Sequence, residues 1–286
     1  MSIGDPPSVS RTVVAGPPPF DPEVAAALAA WRATEPALPF TVANIPALRP
    51  LEPPPPTDVE IGRRGQVLVE TRSAPGPAGA PEVPLLICRP AGEPGPLGVI
   101  YLIHGGGLVK GDHRSPVPKF LDWALELRLT LVSVDYRLAP ETPHPGPVSD
   151  CYAGLVWIVE HAAELCLDPE RVVVAGGSAG GGLAAAVALL ARDRHGPALA
   201  GQMLLCPMLD DRNDTPSAVQ LTGVDHWDRP VNEVAWTALL GSARARVARR
   251  VPCLRRDRAR RDAVQAGPRR PPALAAPPRR RHRRRR

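Results

Sequence analysis

The chain has 286 residues, 44% of them hydrophobic, which is enough for one sizeable domain without metal or disulfide staples. Its formal charge of +6 sums two opposed segments. Residues 242–286 carry 18 Arg against Asp257 and Asp262, leaving 17 basic and 27 acidic groups in the first 241 residues. That body is mildly acidic, so the overall basic balance is no nucleic-acid signature, and no specific nucleic-acid partner is expected.

Thirty-eight prolines and only two lysines, Lys110 and Lys119, are a bias that a GC-rich gene would favour. The five cysteines show no framework spacing, and four lie in apolar stretches such as Leu85-Leu86-Ile87-Cys88. Reduced, buried thiols are expected there. Met1-Ser2-Ile3-Gly4-Asp5 has neither a basic region nor an apolar one, so no secretion and a cytoplasmic location are expected. Val172–Ala191 lacks charge over 20 residues but holds five glycines, which predicts a buried strand and helix rather than a membrane span.

In chain order, residues 1–56 are a Pro-rich segment with one helical patch, Pro22–Arg32, where Val24, Ala27, Leu28 and Trp31 share a face. Pro53–Pro56 is a stiff spacer that closes it. Gln66–Thr71 and Val83–Arg89 read as strands separated by a turn-rich stretch. Leu97–Ile103 is a continuous apolar strand, Lys119–Leu127 a helix and Leu129–Val134 another buried strand. Val148–Leu167 is predicted helical, Arg171–Ala175 a strand, Ser178–Arg192 a helix and Gly201–Cys206 a strand. Apolar strands without polar alternation, separated by helices, predict an α/β protein with a mostly parallel sheet covered on both faces. This core is assigned to residues 57–241. Residues 242–286 form a third segment, an Arg/Pro-rich tail without helix or strand periodicity, expected to be disordered or frame-shifted.

Two motifs carry chemistry. Gly176-Gly177-Ser178-Ala179-Gly180 is G-x-S-x-G placed between a strand and a helix. Such a turn forces its serine into a strained conformation, and small neighbours let strand and helix approach. The hydroxyl is thereby lifted above the sheet, beside the free N–H groups of the next helical turn. Gly180–Ala185 formally fits a dinucleotide fingerprint but begins past the strand and lacks its acidic partner. The second motif, His104-Gly105-Gly106-Gly107, ends a buried strand. Its unobstructed amides suit a developing oxyanion, whereas a plain glycine turn is the bland alternative.

With Asp135-Tyr136-Arg137-Leu138-Ala139-Pro140-Glu141 and Cys206-Pro207-Met208-Leu209-Asp210, these blocks make residues 20–241 resemble the hormone-sensitive-lipase-like carboxylesterases. The resemblance implies an α/β-hydrolase fold and hydrolysis of a small-molecule ester of short to medium acyl length. It makes Ser178 the nucleophile, with Gly105, Gly106 and Ala179 as oxyanion-hole donors. His104 would hold the glycine loop rather than act as a base. Asp135, Arg137 and Glu141 would form a charge network beneath the site. Pro22–Arg32 and residues 221–240 would be a cap. No metal or organic cofactor is implied, and the oligomeric state is left open.

The same resemblance puts an acid and a histidine roughly 95 and 125 positions after the serine, near residues 273 and 303. The first place reads Pro271-Pro272-Ala273-Leu274-Ala275 and the second exceeds the sequence. The expectation is therefore an incomplete triad and missing final strands, with the pattern ending near Gly241. A reading-frame shift is the leading explanation. A polybasic tail for anionic lipid or nucleic acid is the rival, and an inert scaffold or a polyanion-binding protein is the alternative function. His113 and His144 are weighed as substitute bases, with exposed loop positions preferred for both.

Overall fold

The structure, a computed structural model, describes residues 16–17, 19–32 and 38–241. Its centre is a six-stranded sheet in the order β1-β2-β4-β3-β5-β6. The strands are β1 (Val67–Ala74), β2 (Val83–Pro90), β3 (Leu97–Ile103), β4 (Thr130–Val134), β5 (Leu167–Gly177) and β6 (Gly201–Leu205). β1 and β2 pair antiparallel, as do β2 and β4, while the β4-β3-β5-β6 half is parallel.

The apolar run of β3 follows from this position, because both faces of the strand are covered. Val99, Tyr101 and Ile103 point into one core with Val132, Val134, Val172 and Val174. Ile100 and Leu102 point into the other, with Leu86, Leu131 and Ala175. Strand alternation thus divides one hydrophobic segment between two helical layers.

On the second face lies α4 (Val117–Glu126), which buries Val117, Phe120, Leu121 and Ala124, one stripe at helical spacing. The first face is covered by α5 (Gly146–Glu160) and α6 (Ala179–Asp193). α8 (Arg229–Leu240) adds Ala235, Trp236, Leu239 and Leu240 to that core. Asp228 caps it, accepting the Val231 N–H at 3.1 Å. Before it, α7 (Pro216–Gln220) is capped by Thr215.

The expected strands and helices lie where the sequence puts them, with some differences. The helix predicted over 148–167 ends at Glu160, and β5 begins already at Leu167. The helix Pro22–Arg32 forms as α1, yet it exposes Val24 and half-buries Leu28. Alanine on every side leaves it too weakly amphipathic to bind the core strongly. Two short helices were not anticipated: α2 (Ile45–Leu48), and α3 (Asp58–Ile61) with its Thr57–Glu60 capping box. Val172–Ala191 is the end of β5 plus α6, and no described helix is long and apolar enough to cross a membrane.

Of the cysteines, Cys88 and Cys151 are buried, and burial pushes the Cys88 thiol up to about 12. Cys166 and Cys206 are exposed, against expectation. Both sit at strand ends with positive φ, 54° and 39°, where the chain is turning away from the core. Cys253 and the whole segment 242–286 lie outside the described residues.

Candidate active site

β5 delivers Ser178 at the carboxyl edge of the sheet, immediately before the first turn of α6. The serine has φ 54° and ψ −120°, a conformation costly for a residue with a side chain. Strain of this kind amounts to about 1–3 kcal/mol and persists only when surrounding contacts impose it. Those contacts are visible. The Ser178 N–H donates to the Leu205 carbonyl at 2.8 Å, and its carbonyl accepts from Met208 N–H at 2.9 Å and Gly182 N–H at 3.1 Å.

Glycine is required behind the serine because α6 lies almost on β3. A Cβ on Gly180 would stand 2.0 Å from the Ile103 carbonyl oxygen. The same crowding brings the glycine loop to the elbow. A Cβ on Gly105 would lie 3.6 Å from the Ser178 Cβ. The amides of Gly105, Gly106 and Ala179 have no acceptor among the described residues. The first two lie in the loop, and the third opens a helix whose early N–H groups are unpaired.

Among the described residues, Ser178 borders two cavities. One, of about 610 Å³, is walled by Gly105, Gly106, Lys110, Lys119, Phe120 and Pro53. The other, of about 380 Å³, is walled by Met208, Asp225, Trp227, Asp228 and Asn232 among others. Leu221, Asp225, Trp227, Asp228, Arg229 and Asn232, from the region expected to form a cap, thus share a cavity wall with Ser178, while the rest of α8 packs into the core. α1 lines neither cavity; the N-terminal segment touches α7 through the Gln220 side chain, which donates to the Gly16 carbonyl at 2.8 Å.

His104 is buried beneath the loop, its ring stacked on Tyr136 at 4.1 Å. Its Nδ1 lies 2.8 Å from the Gly105 carbonyl oxygen, which that nitrogen's proton can bond. Burial drives its pKa down to about 4, despite the opposing hydrogen bond to Gly105 and the pull of Asp135 and Asp112. A neutral ring fixed on the loop backbone is the result.

Asp135, Arg137 and Glu141 do not join into one network, as the sequence reading expected. Arg137 grips the buried Asp150 through Nε at 2.8 Å and Nη2 at 2.7 Å. Glu141 takes both terminal nitrogens of Arg49, at 2.9 and 2.7 Å. Asp135 faces His113, whose Nδ1 is 3.3 Å away but poorly aligned for a hydrogen bond. Burial pushes the Asp135 carboxyl up, yet His113 and His104 outweigh it and hold it below its ordinary value. Three residues close together in sequence therefore reach three different partners, because the loop after β4 turns each side chain to a different element.

Sequence reasoning did not find Arg49. Its Nε donates to the Val109 carbonyl at 2.7 Å and its Nη2 to the Ala139 carbonyl at 2.8 Å. One guanidinium thereby ties the N-terminal segment to both the glycine-loop segment and the loop after β4. A lone arginine among prolines gave no signal of this.

Of the two histidines weighed as substitute bases, His144 is an exposed loop residue, as expected, whereas His113 has a side chain only 14% exposed. Partial desolvation lowers the His144 pKa. Among the described residues, neither lines either of these two cavities, whereas His104 lines the larger one with Ser178. Among the described residues no side chain hydrogen-bonds to the Ser178 hydroxyl. No group of three or more potential metal ligands occurs among them either.

Comparison with known proteins places the geometry. A family model for the α/β-hydrolase fold matches residues 99–268, more than half of the chain. The match continues past Gly241, where the sequence reading ended the pattern, and takes in Asp257 and Asp262, both outside the described residues. The carboxylesterase NlhH of Mycobacterium tuberculosis is 38% identical over 173 residues, covering 60% of this chain and 54% of its own length. Human hormone-sensitive lipase is 42% identical over 103 residues, covering 36% of this chain and 10% of the lipase. Among solved structures, a bacterial heroin esterase superposes with TM-score 0.68 at 41% identity, covering 78% of this chain and 69% of that one. The chain spans about half the length of the curated esterases it matches over the longest stretches.

Proposed function

Since this chain belongs to the α/β-hydrolase family, we propose that it is a serine hydrolase of small carboxylic esters with short to medium acyl groups. One observation carries the reading: the strained Ser178 shares a cavity wall with Gly105 and Gly106, and the amides of these two and of Ala179 have no acceptor among the described residues. The related esterases and lipases support the same class of substrate.

In this mechanism the Ser178 Oγ attacks the ester carbonyl carbon, and the alcohol leaves to give an acyl-enzyme. The carbonyl oxygen becomes an anion in the tetrahedral intermediate and is held by the three amides. Their donors are part of folded backbone, so little reorganisation accompanies the charge. Water then releases the acid and restores Ser178. Attack requires removal of the hydroxyl proton, and no described imidazole is bonded to it. We therefore propose impaired turnover, since in another serine hydrolase losing the base costs about a millionfold, or about 8 kcal/mol of barrier.

Hydrolysis of a chromogenic butyrate ester by the wild-type chain and by Ser178→Ala tests the proposal. Hydrolysis above background that vanishes in the variant supports it. Equal rates favour the second reading, an inert scaffold or a polyanion-binding protein acting through the 18 Arg of residues 242–286.

A further inference from the structure

We propose that Trp227 is a positioning residue for the glycine loop, holding Gly107 in place and with it the two preceding amides. The proposal rests on the reading of that loop as the oxyanion hole. A Cβ on Gly107 would lie 1.9 Å from Trp227 Cη2 and 2.3 Å from Cζ2. The indole is therefore laid directly against the Gly107 backbone, and only glycine fits beneath it. Gly107 also has φ +62°, a left-handed conformation that the indole covers and locks. The third glycine of the motif is thus explained by a tryptophan 120 positions away, not by an amide it offers to substrate.

The indole is itself anchored on several sides. Its Nε1–H donates to Asn232 Oδ1 at 3.2 Å, and Asn232 Nδ2 donates to Asn213 Oδ1 at 3.1 Å. Asn213 is buried, donates to the Arg229 carbonyl at 2.8 Å, and accepts from Arg229 Nε at 2.9 Å. Phe40 meets the ring edge-on, with centroids 5.7 Å apart. A hydrogen-bonded chain of this kind is stiff when fully satisfied. Trp227 also lines the 380 Å³ cavity with Ser178, so one indole touches both the glycine loop and the serine's cavity.

Hydrogen exchange of the 104–111 segment in the full chain reads loop position without requiring turnover. Trp227→Ala is expected to speed exchange about tenfold or more at Val109 and Lys110, whose N–H groups bond to the Gly106 carbonyl at 3.1 and 3.0 Å, and Trp227→Phe to keep it near wild type. Thermal melts of Gly107→Ala, Trp227→Ala and the double variant supply a cycle. Gly107→Ala is expected to lower the melting temperature by less when Trp227 is already alanine; the strain of the left-handed alanine is common to both backgrounds and cancels. Where Ser178-dependent hydrolysis is measurable, Trp227→Ala should reduce kcat for an acetate ester about tenfold and leave KM within about twofold. Unchanged loop exchange or additive melts would overturn the proposal, as would a change in KM alone. Absence of Ser178-dependent hydrolysis would instead refute the esterase reading and leave the exchange result to decide the role of Trp227.

Discussion

β5, the strand that presents Ser178, is flanked by two strands of opposite character. On one side β3 is buried at every position, and Tyr101, Leu102 and Ile103 have no exposed surface. On the other, β6 has no buried residue, and Leu205 is 38% exposed. Both are parallel to β5 and both end level with the site. The candidate oxyanion amides of the loop continue from the rigid strand, whereas the serine backbone is bonded to Leu205, the last residue of the open one, and to Met208 just beyond it. Half of the site therefore rests on close packing, and half on a strand that no further described strand flanks.

The largest expected break in this comparison is Ile103→Ala. Emptying that fully buried site should cost about 4 kcal/mol in chemical denaturation, through lost transfer energy and a residual cavity. A cost below about 1 kcal/mol would mean that the β3 side is not the rigid half. Next comes Arg137→Ala on the same side, which leaves the Asp150 carboxylate, 1% exposed, without its guanidinium. A loss of roughly 3 kcal/mol is expected. That is the low end for broken buried pairs, because Arg137 itself is a third open to water and its partner keeps the Arg137 N–H.

Acid provides the third probe. Unfolded His104 takes up a proton near pH 6.5, whereas the folded ring resists until about pH 4. Between those values the unfolded chain binds more protons, so stability falls as pH drops through that window. The loss should approach about 3 kcal/mol by pH 4, and His104→Asn should flatten the slope. The depressed Asp135 removes further stability at still lower pH. The smallest effect is expected at the open side, where Leu205→Ala should change stability by no more than about 0.5 kcal/mol. A larger loss there would show that β6 is covered in solution.

The same contrast explains what could be read from sequence. β3 and the elbow were legible because a doubly buried strand must be apolar throughout and a crowded turn must be glycine. α6 was legible as the charge-free stretch that follows. The exposure of Cys206 was not legible, since its apolar neighbours resemble those of a buried strand and nothing local marks the end of β6. The partners of Asp135, Arg137 and Glu141 were hidden for another reason. Charge pairing depends on side-chain direction at a loop, and His113, Asp150 and Arg49 are far away in sequence. The third glycine of the loop has no role of its own in the sequence reading; its contact with Trp227 arises only when the segment before α8 folds back against the loop.

The two backbone bonds that hold Ser178 to residues 205 and 208 carry a thermal consequence. Fluctuations of an edge segment grow on heating well before the interior loosens, and here they pass straight into the location of one oxygen atom. Catalysis built on this elbow would fade several degrees before the protein melts, and its temperature optimum would report the weakest strand instead of the average one.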